Sequence, residues 1–373
     1  MRSWLLGAVL ILGTGCSHGT DPMLDMDVAT VSRVVTDADG NVYVFVARSK
    51  YENGRLVASS NEILELGADG GVKAKAPAPT ELAASLPYSF LWAQRDVIVY
   101  RDSTADPPFG EILLGDAKSI ASSVVLDERG EKIGTAPTPP DDKRWLEYFS
   151  PKEARMQSLA TYDRATQSWR VKWRQDRGAS WGGIEAVRDD LVSFLVEEGL
   201  ASDPTFRQSR TLTIAGPPND ALAIRALDGS GALVWRHERP IAEAGSFRAA
   251  VPTKQGVLLV TNKKAIELST NADPIRDYAL PGDASALAVE DSGGVWLTTP
   301  SKIVHVDPSG AVSAEKTVEV EGAPVTFKDI TLDRDGAVAI GSFQRGNVTD
   351  VVVVRLDESG NETWRKIGCE CRN

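Results

Sequence analysis

Residues 325–367 read VTFKDITLDRDGAVAIGSFQRGNVTDVVVVRLDESGNETWRKI. Two β-hairpins are legible in this stretch, one turning at Asp333-Arg334-Asp335-Gly336 and the other at Asp357-Glu358-Ser359-Gly360. Ile330 and Leu332 alternate with polar neighbours before the first turn, and Val338 and Ile340 do so after it, the period-two pattern of strands. Val351 to Val354 are apolar on both faces. Such a strand must be covered on both sides, so its sheet is packed between other sheets and is not the outer layer of a sandwich.

Reduced copies of this unit recur from Val28 onward. The first has a hairpin at Asp37-Ala38-Asp39-Gly40 and a strand, Ile63 to Leu66, running into Ala68-Asp69-Gly70-Gly71. The second has Asp96 to Tyr100, then Val124 to Leu126 before Asp127-Glu128-Arg129-Gly130. A third is recognisable only in its second half, Leu159 to Trp173; the fourth closes at Asp228-Gly229-Ser230-Gly231, the fifth near Asn271 and the sixth at Asp307-Pro308-Ser309-Gly310. From Gly70 to Gly360 six intervals average about 48 residues, the length of a four-stranded propeller blade. The chemistry of the repeat is local: aspartate caps the turn with its side chain, and glycine takes the positive φ that closes it. A four-stranded unit cannot bury both faces alone, so units stack and the series closes into a ring.

The expectation is therefore an all-β chain forming a β-propeller of seven four-stranded blades, with six or eight open because 136–159 is ambiguous. Within that stretch 141–157 predicts a helix, since Ser150 precedes Pro151 as an N-cap precedes proline at the first helical position. A strand from about Met23 to Val31 is expected to complete the last blade and latch the ring.

The N-terminus carries an address. Arg2, the apolar run Leu5 to Leu12, and Gly13-Thr14-Gly15 before Cys16 make an export signal. The apolar run is too short to span a bilayer, which takes roughly 20 apolar residues. The stretch resembles a bacterial lipoprotein signal, which implies cleavage before Cys16 and acylation of that cysteine. Gly13 stands where that family has leucine, which places the cleavage point less firmly than the export. Residues 1–15 then form the signal, 16–27 a lipid-anchored tether and 28–373 the propeller. Ser17, in the position where an aspartate retains such proteins on the inner membrane, fits the outer membrane of a Gram-negative bacterium. The 373 residues are 42% hydrophobic and 25% charged, a composition with ample core. The formal charge of −11 becomes −12 once residues 1–15, with Arg2 and no acid, are removed. That balance argues against a nucleic-acid partner, which needs clustered Lys and Arg.

The pattern of Asp-x-x-Gly, strand, loop, strand and Leu-Asp-x-x-Gly-x-x-x-Trp resembles the β-propeller repeats of bacterial exported proteins, including the pyrroloquinoline-quinone type. Leu227-Asp228, Gly231 and Trp235 carry it in full, as do Leu356-Asp357, Gly360 and Trp364; elsewhere the tryptophan slot holds Ala74, Gly134 and Ala314. A quinone-dependent dehydrogenase of this kind would use adjacent cysteines and calcium. The sequence has no such constellation, so no cofactor is expected.

Motifs for chemistry are sparse. Gly178-Ala179-Ser180-Trp181-Gly182 matches a nucleophile elbow, but the run after it is strand-like and the mature chain has only His18, His237 and His305, so a glycine-rich turn is the reading. Asp37-x-Asp39 and Asp333-x-Asp335 resemble the start of a calcium loop without its later ligands, which makes them turn residues and leaves no metal site. Trp235 and Trp364 read as packing between blades, whereas Trp181 and Trp296, if exposed, are candidates for stacking on a sugar or peptide. Cys369 and Cys371 are a candidate disulfide in an oxidising compartment, or cysteines for linkage to another chain.

The leading functional reading is a membrane-anchored module that binds an envelope protein or glycan through loops at one end of the ring, such as Tyr51 to Asn61, Ser103 to Gly110 and Gly199 to Arg210. It names no catalytic residue. The alternative is a hydrolase, lyase or dehydrogenase with carboxylates at the ring axis, for which Glu185, Asp189 and Asp190 are the candidates by position.

Overall fold

The computed structural model describes residues 26–78, 90–101, 107–141, 143–148, 156–176, 183–198, 221–282 and 284–368. The first four strands, β1 (Met26–Thr36), β2 (Val42–Glu52), β3 (Arg55–Leu66) and β4 (Val72–Pro77), form one antiparallel blade. β5 (Phe90–Gln94), β6 (Val97–Arg101) and β7 (Phe109–Leu113) form a three-stranded sheet. Next come β8 (Ser122–Leu126), β9 (Lys132–Pro137), β10 (Trp145–Tyr148), β11 (Met156–Asp163) and β12 (Ser168–Asp176), joined in the order β10-β11-β12-β8-β9. Regular four-stranded blades resume with β13 (Gly183–Val187), β14 (Ser193–Glu198), β15 (Ala221–Leu227) and β16 (Leu233–Pro240). A single helical turn, α1 (Ile241–Ala244), leads to the blade of β17 (Phe247–Pro252), β18 (Gly256–Thr261), β19 (Lys264–Ser269) and β20 (Pro274–Ala279). The following blade is β21 (Ala286–Val289), β22 (Val295–Thr298), β23 (Lys302–Val306) and β24 (Val312–Thr317). After a small hairpin of β25 (Glu319–Val320) and β26 (Ala323–Pro324), the last blade is β27 (Thr326–Asp333), β28 (Gly336–Arg345), β29 (Val348–Asp357) and β30 (Glu362–Ile367).

The arrangement is a β-propeller, and apolar layers between sheets hold it. Tyr43 and Ile63 of the first blade meet Ile98 and Ile112 of the three-stranded sheet. The other face of that sheet, with Trp92 and Val99, packs on Leu146, Ala160 and Trp169. Comparable layers follow in series, and the last of them sets Val338, Ile340, Val351 and Val353 against Val42, Val44 and Leu64, so the ring closes on its first blade. Val351 to Val354 are all buried, as their two apolar faces require.

Five blades are regular. The region 90–176 departs from the repeat: β8 pairs in parallel with β12, Ser168 opposite Val124, instead of extending the sheet of β5–β7. β7, in which only Ile112 is buried, is left as the outer edge of its sheet. The described parts of the 141–157 stretch expected to be helical are strand or irregular. Trp145 to Tyr148 is a strand paired with Ser158 to Thr161, and Leu146, Glu147 and Tyr148 are buried, so sheet pairing decides the state of this segment. Residues 149–155, with Ser150 and Pro151, lie outside the described residues.

The Asp-x-x-Gly turns behave as their chemistry requires. Asp37, Asp127, Asp228, Asp307 and Asp357 each accept hydrogen bonds at Oδ1 from the backbone N–H groups two and four residues on. The glycine three residues on donates back to the aspartate carbonyl, with φ between 79° and 90° at Gly40, Gly130, Gly231, Gly310 and Gly360. This is a type I turn closed by a left-handed residue, a three-residue hairpin loop.

The seam between last and first blades differs from expectation. β1 is the innermost strand of the first blade; only Asp27 and Val28 pair with the last blade, in parallel with Val348 and Thr349 of β29, and the fourth strand of that blade is β30. Further bonds cross the seam: Thr36 Oγ1 to the Leu332 carbonyl (2.6 Å), Arg355 Nη1 to the Ala68 carbonyl (2.7 Å) and Trp364 Nε1 to the same carbonyl (2.9 Å). Trp235 likewise donates to the Thr270 carbonyl of the next blade at 2.8 Å, and Arg276 fills the tryptophan slot in its own blade by donating to the Pro308 carbonyl. For Arg355, Trp364, Trp235 and Arg276 the acceptor is the second residue of the neighbouring blade's closing turn, so the tryptophan slot fastens one blade to the next. Each such bond contributes about 0.5–1.5 kcal/mol net.

A candidate site at the ring axis

Five innermost strands share a one-residue irregularity that skips Ser32 in β1, Leu91 in β5, Glu185 in β13, Arg248 in β17 and Lys328 in β27. A bulge frees its extra residue from the ladder and re-aims it. Neighbouring sheets cover both faces of an inner strand, so the exposed side chains of Ser32, Glu185, Arg248 and Lys328 face the axis.

Further along the same strands the axis widens into a cavity of about 1010 Å³. Its walls come from the C-terminal halves of β1, β5 and β27, from β21, and from the loop before β10: Val35, Leu91, Leu287, Val289, Leu332 and Pro139 are among the apolar contributors. Thr36, Gln94 and Thr331 supply polar groups, and Asp39, Arg95, Asp141, Lys143 and Asp291 ring the mouth. The wall is thus mixed, with somewhat more polar than apolar surface facing the space.

The charges divide into those already engaged and those available. Asp37 is consumed by its own turn and by the Tyr43 hydroxyl at 2.8 Å, and burial, reinforced by the Asp37 charge, pushes the Tyr43 phenol well above its ordinary range. Asp141 pairs with Arg164 at 2.9 Å. Arg33 Nε stands 3.6 Å from Asp329, whose carboxylate accepts from the Val34 N–H at 2.9 Å. Burial raises the Asp329 carboxyl above the usual carboxylate range, with Arg33 working against it. Arg95, Lys143 and Asp291 make no ion pair among the described residues, which leaves two cationic groups and one anionic group free at the mouth.

The axial carboxylates proposed from sequence position do not act together. Asp190 is held by Arg188, which keeps it below the ordinary carboxylate range, and exposed Asp189 lies 3.9 Å from Arg144. Glu185 is alone on the inner strand; it touches solvent yet is crowded by protein, and burial followed by the Glu147 charge raises its carboxyl. Glu147 in turn accepts from Gln157 and meets Arg101 at 3.4 Å.

Trp296 is 1% exposed and presents no free face to a ligand, contrary to its candidacy. Its ring stacks on His305 with centroids 4.5 Å apart, and Nε1 donates to Glu290 at 2.9 Å. Ser313 Oγ lies 2.6 Å from His305 Nδ1, and His305 Nε2 lies 3.1 Å from Glu290, an order of groups that imitates a hydrolytic triad. In the last blade the corresponding strand position holds Arg355, which pairs with Asp333 of the equivalent turn, so Glu290 and His305 are a fastening of the same kind. His237 accepts from Arg239 Nε at 3.3 Å, and burial, then Arg239, lowers its pKa. Among the described residues no cluster of three or more His, Cys, Asp or Glu side chains is placed to hold a metal. Cys16, His18, Ser180, Trp181, Cys369 and Cys371 lie outside the described residues, as do 103–106 and 199–210 of the expected binding loops. The loop expected over 51–61 is instead the tip of the β2–β3 hairpin, turning at Asn53-Gly54 with φ of 51° and 72°, the signature of a two-residue type I′ turn.

No family model matches the chain, and no curated protein matches its sequence. Solved structures similar to it include the Neurospora crassa Pan2 WD40 domain, at 12% identity and a TM-score of 0.32 over 50% of this chain and 49% of that one. Saccharomyces cerevisiae Sqt1 is similar at 9% identity and a TM-score of 0.33, over 92% of this chain and 87% of its own. Apo AztD from Citrobacter koseri is similar at 12% identity and a TM-score of 0.35, over 92% of this chain and 96% of its own.

Proposed function

We propose that the chain is an exported binding module of the cell envelope, built on a seven-bladed propeller of the exported bacterial repeat type and anchored to the outer membrane through an acylated Cys16. The blade count is supported by the two irregular sheets, which together hold eight strands as two regular blades would. The binding reading rests on the axial cavity of about 1010 Å³, whose mixed polar and apolar wall and mixed-charge mouth suit an uncharged or zwitterionic segment of an envelope protein or glycan better than a polyanion. Immobilised full-length protein and its Leu287→Trp variant, which narrows the cavity, are exposed to envelope extract and to a glycan panel. A ligand retained by the parent and lost by the folded variant supports the axial site; retention that ignores Leu287→Trp removes it.

The enzyme reading keeps one observation. Burial, followed by the Glu147 charge, raises the Glu185 carboxyl at the axis, the direction a general acid needs. Hydrolysis or elimination activity that disappears in Glu185→Gln while binding persists would favour it.

A further inference from the structure

The direction of β1 orients the cavity relative to the anchor. Met26 begins the strand and Thr36 ends it at the cavity wall, ten residues on, or about 33 Å at the rise of an extended strand. Chain entry and cavity mouth therefore lie at opposite ends of the ring.

The entry end projects beyond the core. β2 and β3 continue as a ladder to Glu52 opposite Arg55, with Met26 opposite Tyr51, Tyr51 opposite Leu56 and Asp27 opposite Val348. Met26, Leu56, Val57 and Val348 are 39%, 55%, 51% and 39% exposed, and all four sit on these adjoining strand ends. Residues 17–25 separate Cys16 from Met26, ten steps of chain that span at most about 36 Å. An acyl chain on Cys16 thus keeps Met26 within about 36 Å of the bilayer, and the mouth lies a further strand length along the chain.

We propose that the β2–β3 hairpin end rests on the lipid surface, with Met26, Tyr51 and Leu56 at the interface, so that the axial cavity opens away from the membrane. The proposal rests on the acylation of Cys16 in the functional reading above. Apolar side chains gathered at a lipid-anchored end add a second contact to the anchor, which is how a single attachment becomes a fixed orientation.

The test uses acylated full-length protein carrying Cys369→Ser and Cys371→Ser, with an environment-sensitive fluorophore attached at Leu56→Cys or, separately, at Asp291→Cys. Each is reconstituted on vesicles of phosphatidylethanolamine and phosphatidylglycerol containing a lipid-borne spin-label quencher. The mass of the N-terminal peptide reports acylation. The expected result is a blue shift and loss of emission at residue 56 with neither at 291. Quenching at 291, equal quenching at both, or none at either on acylated, vesicle-bound protein overturns the orientation and leaves the anchor intact. An unmodified Cys16 with no vesicle binding removes the anchor and the orientation together.

Discussion

Gly70 and Gly130 occupy the same kind of turn in different surroundings, and that difference can be measured. Both have left-handed backbone, with φ of 79° and 86°. Alanine at either position incurs the cost of that conformation, about 1–2 kcal/mol. A Cβ at Gly130 would meet nothing within 4 Å, whereas one at Gly70 would lie 3.0 Å from Cδ2 and Cε3 of Trp364. The indole cannot retreat freely, because Nε1 is bonded to the Ala68 carbonyl in the same turn. Losing that bond adds about 0.5–1.5 kcal/mol. Gly130→Ala is therefore expected to cost about 1–2 kcal/mol and Gly70→Ala about 1.5–3.5 kcal/mol, the excess at Gly70 being about 0.5–1.5 kcal/mol. Urea denaturation followed by far-ultraviolet circular dichroism gives both values, and the same pair in a Trp364→Ala background isolates the contact. Equal costs for the two substitutions, or a surplus at Gly70 that survives Trp364→Ala, would refute the account of the seam.

Arg355→Ala is expected to cost about 3–5 kcal/mol, because it leaves the 1%-exposed Asp333 carboxylate without its cation; Arg355→Ala combined with Asp333→Ala should recover part of that loss in the same assay. Asp329→Asn should be more stable than the parent at neutral pH. Its carboxyl is raised by burial, so its contribution is fully present below the unfolded value of about 3.9 and lost as pH rises through the folded value. A variant equally destabilised at pH values on both sides of that range would contradict the assignment. The turn carboxylates Asp228, Asp307 and Asp357 are held below the ordinary range by hydrogen bonds from side chains and backbone, so their contribution is present above about 3.9 and disappears as pH falls through the folded values. Replacing all three with alanine should flatten the acid limb of the stability profile. Trp296→Ala is expected to cost about 3–5 kcal/mol as a core deletion, and an unchanged unfolding midpoint would return that residue to the list of ligand contacts.

What the chain determines locally was legible from its residues. Asp228-Gly229-Ser230-Gly231 forms its turn from atoms within five residues, so the motif carries its own geometry. Val351 to Val354 likewise announces a strand covered on both faces wherever it lies. The sequence by itself thus determined an all-β repeat whose units stack. The tertiary structure decided everything that depends on which strand ends become neighbours. The stretch from Asp141 reads as helical, but Trp145 to Tyr148 pairs with β11 as a strand. The donor from Arg276 to Pro308 joins neighbouring blades, and the stacking of buried Trp296 on His305 joins paired strands of one blade, relations that strand pairing and blade packing set. The axial cavity is the clearest case, because its wall gathers residues from Arg33 to Leu332 and no local pattern encodes a space between distant strands.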